Sequence, residues 1–557
     1  MFTMKKLLKT TIKIILITCF IFGALSFSKI NAFAGEMTMH AIYIGRGDAI
    51  LIQSNGHYML VDSGTNAGVP LLMDYLSKLN IPDNKIDYVV STHPDGDHVG
   101  GFSEIFDKYD VGEVIYSPCT KASTTYTDFI KYVKKEGCPF KNPVEGESWK
   151  LGDATVSVIY DGSLGSTYNE CSIVLKVTCD NKSILLTGDL PSTMEHLLMD
   201  KGYNFKADIL KVGHHGAAAS SCASFLDAVD ADYAVVSCSK KSTSVFPKPS
   251  VLKRLARRFV KTYRTTDDDV VITCKDGKIT TKNKENNGYF SIRKGKITLS
   301  NNVFYAGKKA IKPSVSLYVN GVLVPSSQYK VTYASNNHTG FGKVKLKANE
   351  VKYVSTCSTT FMILPQKETL NGIVSKYNNI NLSWSKQSFA TGYTIKYSTD
   401  KYFKKNVKYI TIKSPEKITR TLSNLRFNKT YYLKIRAYKS NIGNGKWSNR
   451  IKIKTKPAPV PAKQKISQCT VNPTGNIKLK WTKQSSKYNA GYRVQYSTDK
   501  KFKNKKKMKT VTYKSVSKYY RTLKNLKKNA TYFIRIQGYN KYGDGKWSKI
   551  KSVKIKK

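Results

Sequence analysis

Four side chains able to ligate a metal fall within six positions of one another in Ser91-Thr-His93-Pro-Asp95-Gly-Asp97-His98-Val-Gly-Gly101. The segment follows the apolar run Tyr88-Val-Val90, and a tight turn there would direct imidazole and carboxylate groups from alternate residues into one space. The competing reading is an acidic turn with incidental histidines. Three other places share the same local grammar: Asp62 ends Tyr-Met-Leu-Val before Ser63-Gly64, Asp189 ends Ser-Ile-Leu-Leu-Thr-Gly, and His214-His215-Gly216 ends Asp-Ile-Leu-Lys-Val-Gly. Each donor lies just past the C-terminal end of an apolar strand, and in an α/β sheet such ends gather along one edge. The chemistry this favours is cation binding and, through it, metal-assisted reaction.

The elements that must position these groups are legible between residues 36 and about 286. Short β-branched runs at 49–53, 58–61, 88–91, 172–178, 183–187, 209–212 and 233–237 predict strands, and amphipathic stretches at 69–79, 102–109, 127–135 and 250–259 predict helices. Alternation of the two predicts a mixed α/β domain.

His93-x-Asp95-x-Asp97-His98, Gly188-Asp189 and His214-His215-Gly216, in that order and after Asp62-Ser-Gly64, resemble the metallo-β-lactamase superfamily. Gly45-Arg-Gly-Asp-Ala49 and Asn169-Glu-Cys-Ser172 are similar to its competence-protein (ComEC-like) branch, and Ser54-Asn-Gly-His-Tyr58 to its phosphorylcholine-esterase-like branch. The resemblance implies an αββα sandwich holding two divalent ions, zinc or alternatively manganese. It assigns His93 and Asp95 to one metal, Asp97 and His98 to the other, and Asp189 to a bridge between them. A histidine of the 214–215 pair completes the set, His214 being the expected ligand, with Asp97 and His215 expected at the chemical step beside a metal-activated hydroxide. Asp62 and Asn169 are expected beside the ligands or against substrate, Asp62 holding a histidine tautomer. Three departures stand out: Asp95 replaces the superfamily's His, Ala217 replaces the Ser after His-His-Gly, and Val245-Phe246-Pro247 replaces Gly-His-Pro. By the resemblance, the last removes a proton donor or a substrate contact, and loss of a donor would slow leaving-group protonation.

At 557 residues the chain exceeds what one core supports, so several domains are expected. The net charge of +55 is concentrated late: from Glu368 onward the only acids are Glu368, Asp400, Glu416, Asp499 and Asp544, against 48 Lys and Arg. Such a field attracts polyanions of any chemistry, and a merely solvated surface is the alternative. Lys5, Lys6, Lys9 and Lys13 precede the apolar run 14–27, and Ala32-Phe33-Ala34 offers small residues, so a signal peptide over 1–34 cleaved after Ala34 is expected. Of ten cysteines one lies in that segment, and no Cys-x-x-Cys occurs. Buried free thiols are the default expectation, with Cys119–Cys138 or Cys171–Cys179 as candidate pairs.

After residue 286 the helical pattern ends. Residues 291–364 resemble a bacterial immunoglobulin-like module through Gly307-Lys-Lys-Ala-Ile-Lys-Pro-Ser-Val315 and Tyr329-Lys-Val-Thr-Tyr333. Beyond it an internal repeat of about 100 residues, the size of one β-sandwich, carries Leu382-Ser-Trp384 again as Leu479-Lys-Trp481 and Gly445-Lys-Trp-Ser448 again as Gly545-Lys-Trp-Ser548. This pattern resembles tandem fibronectin type III domains. The expected organisation is therefore a catalytic domain over 35–286 followed by three all-β sandwich modules, at 287–366, 367–456 and 465–557, with a Pro-rich linker over 457–464.

The function these readings imply is a secreted or cell-wall-associated metal-dependent hydrolase. A phosphodiesterase acting on extracellular DNA or on phosphocholine- or teichoic-acid-type wall polymers is expected, with the basic modules holding the cell wall or surface. The alternative is a surface adhesion or polyanion-binding protein whose metallo-β-lactamase-like domain is weakly active or inactive. A β-lactamase is the weaker expectation, because function resides in the site and not the fold.

Overall fold

The computed structural model describes residues 35–239, 246–266 and 268–556. The expected signal peptide and Val245 lie outside the described residues. Two compact units divide the chain: the N-terminal one holds residues up to 298 with 315–332 and 345–359, and the C-terminal one holds the remainder.

In the N-terminal unit, fifteen strands make two mixed sheets. They are β1 (Glu36–Ala41), β2 (Ile50–Ser54), β3 (His57–Val61), β4 (Lys85–Ser91), β5 (Asp110–Tyr116), β6 (Phe140–Lys141), β7 (Ser148–Leu151), β8 (Ala154–Tyr160), β9 (Val174–Cys179), β10 (Lys182–Leu186), β11 (Ile209–Lys211), β12 (Tyr233–Val236), β13 (Lys261–Arg264), β14 (Val270–Lys275) and β15 (Lys278–Thr281). One sheet runs β15-β14-β1-β2-β3-β4-β5-β6 and the other β13-β12-β11-β10-β9-β8-β7. Strand periodicity explains why they pack. In β1, Met37, Met39 and Ala41 point to one side, in β8 Ala154, Val156 and Val158 do the same, and these faces meet in a single buried apolar layer.

Helices cover the outer faces. Leu72 and Leu76 of Val69–Lys78, Phe102 and Phe106 of Phe102–Lys108, and Phe129 and Val133 of Thr124–Glu136 bury against the first sheet. Leu198 of Ser192–Asp200, Phe225 of Ala223–Val229 and Leu255 of Pro249–Arg257 bury against the second. The result is an αββα sandwich. The four expected helices are present, whereas β1, β5, β6, β7, β8, β13, β14 and β15 extend the sheets beyond the strands the sequence predicts.

One expectation is corrected. Cys119 is bonded to Cys171, not to Cys138, and Cys179 is free. The bond ties the loop after β5 of the first sheet to the short helical turn Asn169–Cys171, which leads into β9 of the second.

Residues 290–364 are strands and turns in small sheets of two to four strands. Two sandwiches of one design follow. In the first, Leu370–Lys376, Asn379–Trp384 and Thr419–Leu422 face a sheet built on Gly392–Ser398 and Thr430–Lys439; in the second, Ile466–Val471, Ile477–Trp481 and Tyr520–Leu523 face Gly491–Ser497 and Thr531–Asn540. The core tryptophans sit edge-on to a tyrosine in each, Trp384 with Tyr393 at 5.4 Å and Trp481 with Tyr492 at 5.3 Å. Tyr431 Oη and Tyr532 Oη each accept the backbone N–H five residues earlier, at 3.0 Å. The repeat seen in the sequence is thus a repeat of packing.

Candidate metal centre

The ends of β3, β4, β10 and β11 deliver the candidate ligands to one edge of the sandwich. Directly after β3 the chain turns through a left-handed residue, Asp62 (φ +61°), so its carboxylate folds back over β4. There one oxygen accepts from Thr92 N at 2.8 Å, and the other accepts from Thr92 Oγ1 at 2.7 Å while lying 2.7 Å from His98 Nδ1. His98 is fully buried and its Nε2 has no hydrogen-bond partner. Thr92 Oγ1 also lies 3.1 Å from His93 Nδ1, and His93 Nε2 is likewise buried without a partner.

Asp189, past β10, stands at the centre. Its Oδ2 is 3.4 Å from Nε2 of both His98 and His215 and 3.7 Å from Nε2 of His214, while its Oδ1 is buried and unpaired. Burial alone would raise this carboxyl, yet the His215 and His98 rings overcome it and hold it well below the usual carboxylate range. Burial opposes charge on His98 too, but Asp189 and Asp62 raise it well above the ordinary imidazole value. A negative centre ringed by nitrogen donors is a cavity shaped for positive charge.

After β11, His214 (φ +47°) and His215 (φ +52°) both adopt left-handed backbone, which costs about 1–3 kcal/mol each and turns the two rings apart, 79° between planes. His215 faces inward, 3.8 Å from Asp97 Oδ2, and is buried. The His214 side chain is 29% exposed, with Nδ1 3.4 Å from Asn169 Nδ2 and its ring against Phe246. His93, His98 and Asp189 offer ligand atoms within 4.8 Å of one another, and so do Asp97, His98 and His215. His215, rather than the expected His214, is the member of the pair inside these groups. Asp95 stands at their edge, 3.7 Å from His93 Nε2, with its other oxygen 2.5 Å from Lys121 Nζ.

Sequence reasoning passed over two further groups. Asp48, 2% exposed, lies 3.4 Å from His215 Nδ1 and 2.6 Å from Lys211 Nζ, itself 1% exposed. Asp48 belongs to the Gly45–Ala49 segment, where Gly47 (φ +106°) passes so near Asp97 that a Cβ would stand 2.1 Å from its carbonyl oxygen. Arg46, in the same loop, reaches Asp97 Oδ2 from solvent at 3.2 Å. No local sequence signal marks Lys211, because a lysine inside a short strand reads as solvent-facing.

An αββα sandwich with this donor cluster at the strand ends defines the class: the N-terminal part is a metallo-β-lactamase α/β domain, and β-sandwich fibronectin-like domains follow it. Residues 42–240 match the family model of the metallo-beta-lactamase superfamily, and residues 461–554 match that of the fibronectin type III domain. Among curated proteins, the chain is 25% identical over 256 residues to ComE operon protein 3 of Bacillus subtilis (strain 168), covering 42% of this chain and 32% of that protein. It is 26% identical over 228 residues to competence protein ComA of Neisseria gonorrhoeae, covering 40% and 30%. The chain thus spans about a third of the length of these relatives. Among solved structures it is similar to the FN1–FN3 domains of chicken CNTN1, with a TM-score of 0.18 and 15% identity, covering 46% of this chain and 99% of that one.

Proposed function

We propose that the N-terminal domain is a metal-dependent phosphodiesterase acting outside the cell on DNA or on phosphocholine- or teichoic-acid-type wall polymers. The observation that carries this reading is the convergence of buried heteroatoms without partners: Nε2 of His93, His98 and His215, and Oδ1 of Asp189. Burying such groups unpaired costs several kcal/mol unless a cation or proton compensates, so the donor set fits divalent metal. His93, Asp189 and the neighbouring Asp95 would hold one ion, and Asp97, His98, His215 and Asp189 a second. The mixed nitrogen and oxygen donors suit zinc, with manganese the alternative. When bound, such ions polarise a phosphoryl oxygen and acidify water near neutral pH.

The chain's own residues supply the rest. Asp62 engages Nδ1 of His98 and Asp48 lies 3.4 Å from Nδ1 of His215, which leaves Nε2 of both rings directed at the centre. Arg46 places a cation at the mouth, where an anionic substrate enters. Phe246 puts an apolar ring beside His214, where the resembled family has a histidine, so esters with good leaving groups should be the faster substrates. The similarity to competence proteins, the polyanion-attracting charge and the fibronectin-like domains support an extracellular, polyanionic substrate. No helix among the described residues is long and apolar enough to cross a membrane.

The test is hydrolysis of bis(p-nitrophenyl) phosphate by chelator-stripped protein, alone and reloaded with zinc or manganese. Turnover should return with metal and fall at least about 100-fold in Asp189→Ala. Metal uptake without turnover on this ester, on DNA or on wall polymer would instead leave a binding protein.

A further inference from the structure

The two fibronectin-like modules share a fold but not the chemistry of their outer faces. In the first, Lys396 of Gly392–Ser398 lies directly opposite Lys434 of Thr430–Lys439, and Arg436 is one position further along that face. Like charges facing each other across a ladder destabilise a sheet. No carboxylate of this module pairs with them. Its three acids are engaged elsewhere: Asp400 accepts backbone N–H groups of Tyr402, Lys404 and Lys405, Glu416 pairs with Lys386, and Glu368 is buried. Among the described residues Lys396, Lys434 and Arg436 have no hydrogen-bond acceptor, and Arg436 Nε is buried unpaired. Burial, together with Lys434 and Arg436, lowers the Lys396 ammonium below its ordinary value.

The corresponding face of the second module gives its cations polar partners. Gln495 stands at the Lys396 position and accepts from Arg535 Nε at 2.9 Å. Asp544, where the first module has Asn444, pairs with Arg493 and accepts from Gln537 Nε2 at 3.1 Å. One fold therefore appears once with polar partners for the cations of this face and once with Lys396 and Arg436 held only by aromatic rings, at Trp447 and Phe403.

Rings interleave those cations. Tyr409, 61% exposed, is directly opposite Lys396 on the other side, and Tyr432 is opposite Lys452. Trp447 lies between Lys396 and Arg436, 4.5 Å from each, and fixes their direction. Alternate residues on a strand are about 6.8 Å apart and neighbouring strands about 4.8 Å, a grid on which successive charged and planar groups of a flexible polymer can be met together.

We propose that this outer face is a binding surface for single-stranded nucleic acid, with Lys396, Lys434 and Arg436 on phosphates and Tyr409 stacking on a base. Cations that track a backbone beside exposed rings are how such strands are held without sequence preference. A ringless polyanion would use the cations but leave Tyr409 idle.

The experiment uses the full chain with chelator present, so binding is read without turnover and stands or falls apart from hydrolysis. Fluorescence anisotropy with a labelled oligothymidylate of about 20 nucleotides, at about 0.1 M salt, compares the parent with three variants of matched fold by circular dichroism. The triple variant Lys396→Gln/Lys434→Gln/Arg436→Gln should raise Kd at least about tenfold and reduce the slope of log K against log salt by about 2. A triple variant at exposed lysines of the second module, Lys478→Gln/Lys480→Gln/Lys549→Gln, should change Kd less than about twofold. Tyr409→Ser should weaken the oligonucleotide at least about fivefold and leave inorganic polyphosphate unchanged. Equal losses in the two triple variants would overturn the proposal in favour of bulk charge. A silent Tyr409→Ser, with polyphosphate bound as tightly as the oligonucleotide, would overturn the nucleic-acid assignment.

Discussion

The Lys211 ammonium lies 2.6 Å from the Asp48 carboxylate with both side chains closed off from solvent, and Asp48 in turn is 3.4 Å from His215 Nδ1. Burial alone would raise Asp48, but Lys211 and then His215 hold it well below the usual carboxylate range. Removing the ammonium leaves a charge with only an imidazole beside it. Lys211→Met is therefore expected to cost about 3–5 kcal/mol in urea unfolding, while the double variant Lys211→Met/Asp48→Leu recovers much of that loss. A single variant as stable as the parent would show that the pair holds nothing.

The same pair shows where the sequence stops being legible. His93, Asp95, Asp97, His98 and Asp189 could be read because each donor sits where an apolar strand ends, a coincidence visible locally. Lys211 sits inside such a strand, and a lysine there reads as a solvent-facing position. Its burial is set by a carboxylate brought in from the loop before β2, which no local pattern announces. Which histidine of the 214–215 pair faces inward was hidden for a related reason, since two consecutive left-handed residues decide it and neither is glycine. The pairing of Cys119 with Cys171 depends on how β5 and the turn at 169–171 meet, not on spacing.

Both carboxylate oxygens of Asp62 are engaged: it holds His98 by Nδ1 and the β4 end by Thr92. Asp62→Asn should thus keep the fold and weaken metal retention about 10–100-fold, the usual effect of losing a partner that orients a ligand. Elemental analysis after dialysis against graded chelator measures it. Unchanged retention would mean that His98 is positioned by packing alone.

The Cys119–Cys171 bond closes a long loop, for which chain entropy gives a contribution of about 4 kcal/mol. It also joins the loop carrying Lys121, whose ammonium meets Asp95 and lies 4.6 Å over the Tyr168 ring, to the turn carrying Asn169 beside His214. Cys119→Ser/Cys171→Ser should lower stability by about 2–5 kcal/mol and slow phosphodiester turnover more than it lowers metal content. Alkylation of the denatured, unreduced protein should leave these two thiols unmodified in peptide mass spectrometry; modification of both would remove the bond.

Glu368 opens the first fibronectin-like module and is 5% exposed, with Oε1 unpaired. Burial pushes its carboxyl up to about 7, from an ordinary value of 4.5, and a hydrogen bond with Gln387 offsets only part of that cost. Because the folded module keeps the proton where the unfolded chain has released it, folding binds protons between these two values, and stability falls as pH rises through that window. Below it both states are protonated and nothing is lost; above it both are ionised and the penalty is complete. Glu368→Gln keeps the shape and removes the charge, so it should match the parent at pH of about 4 and exceed it by on the order of 2 kcal/mol at pH of about 8. Calorimetry at the two pH values decides the matter, because a difference of the same size at both would assign the effect to packing instead of ionisation.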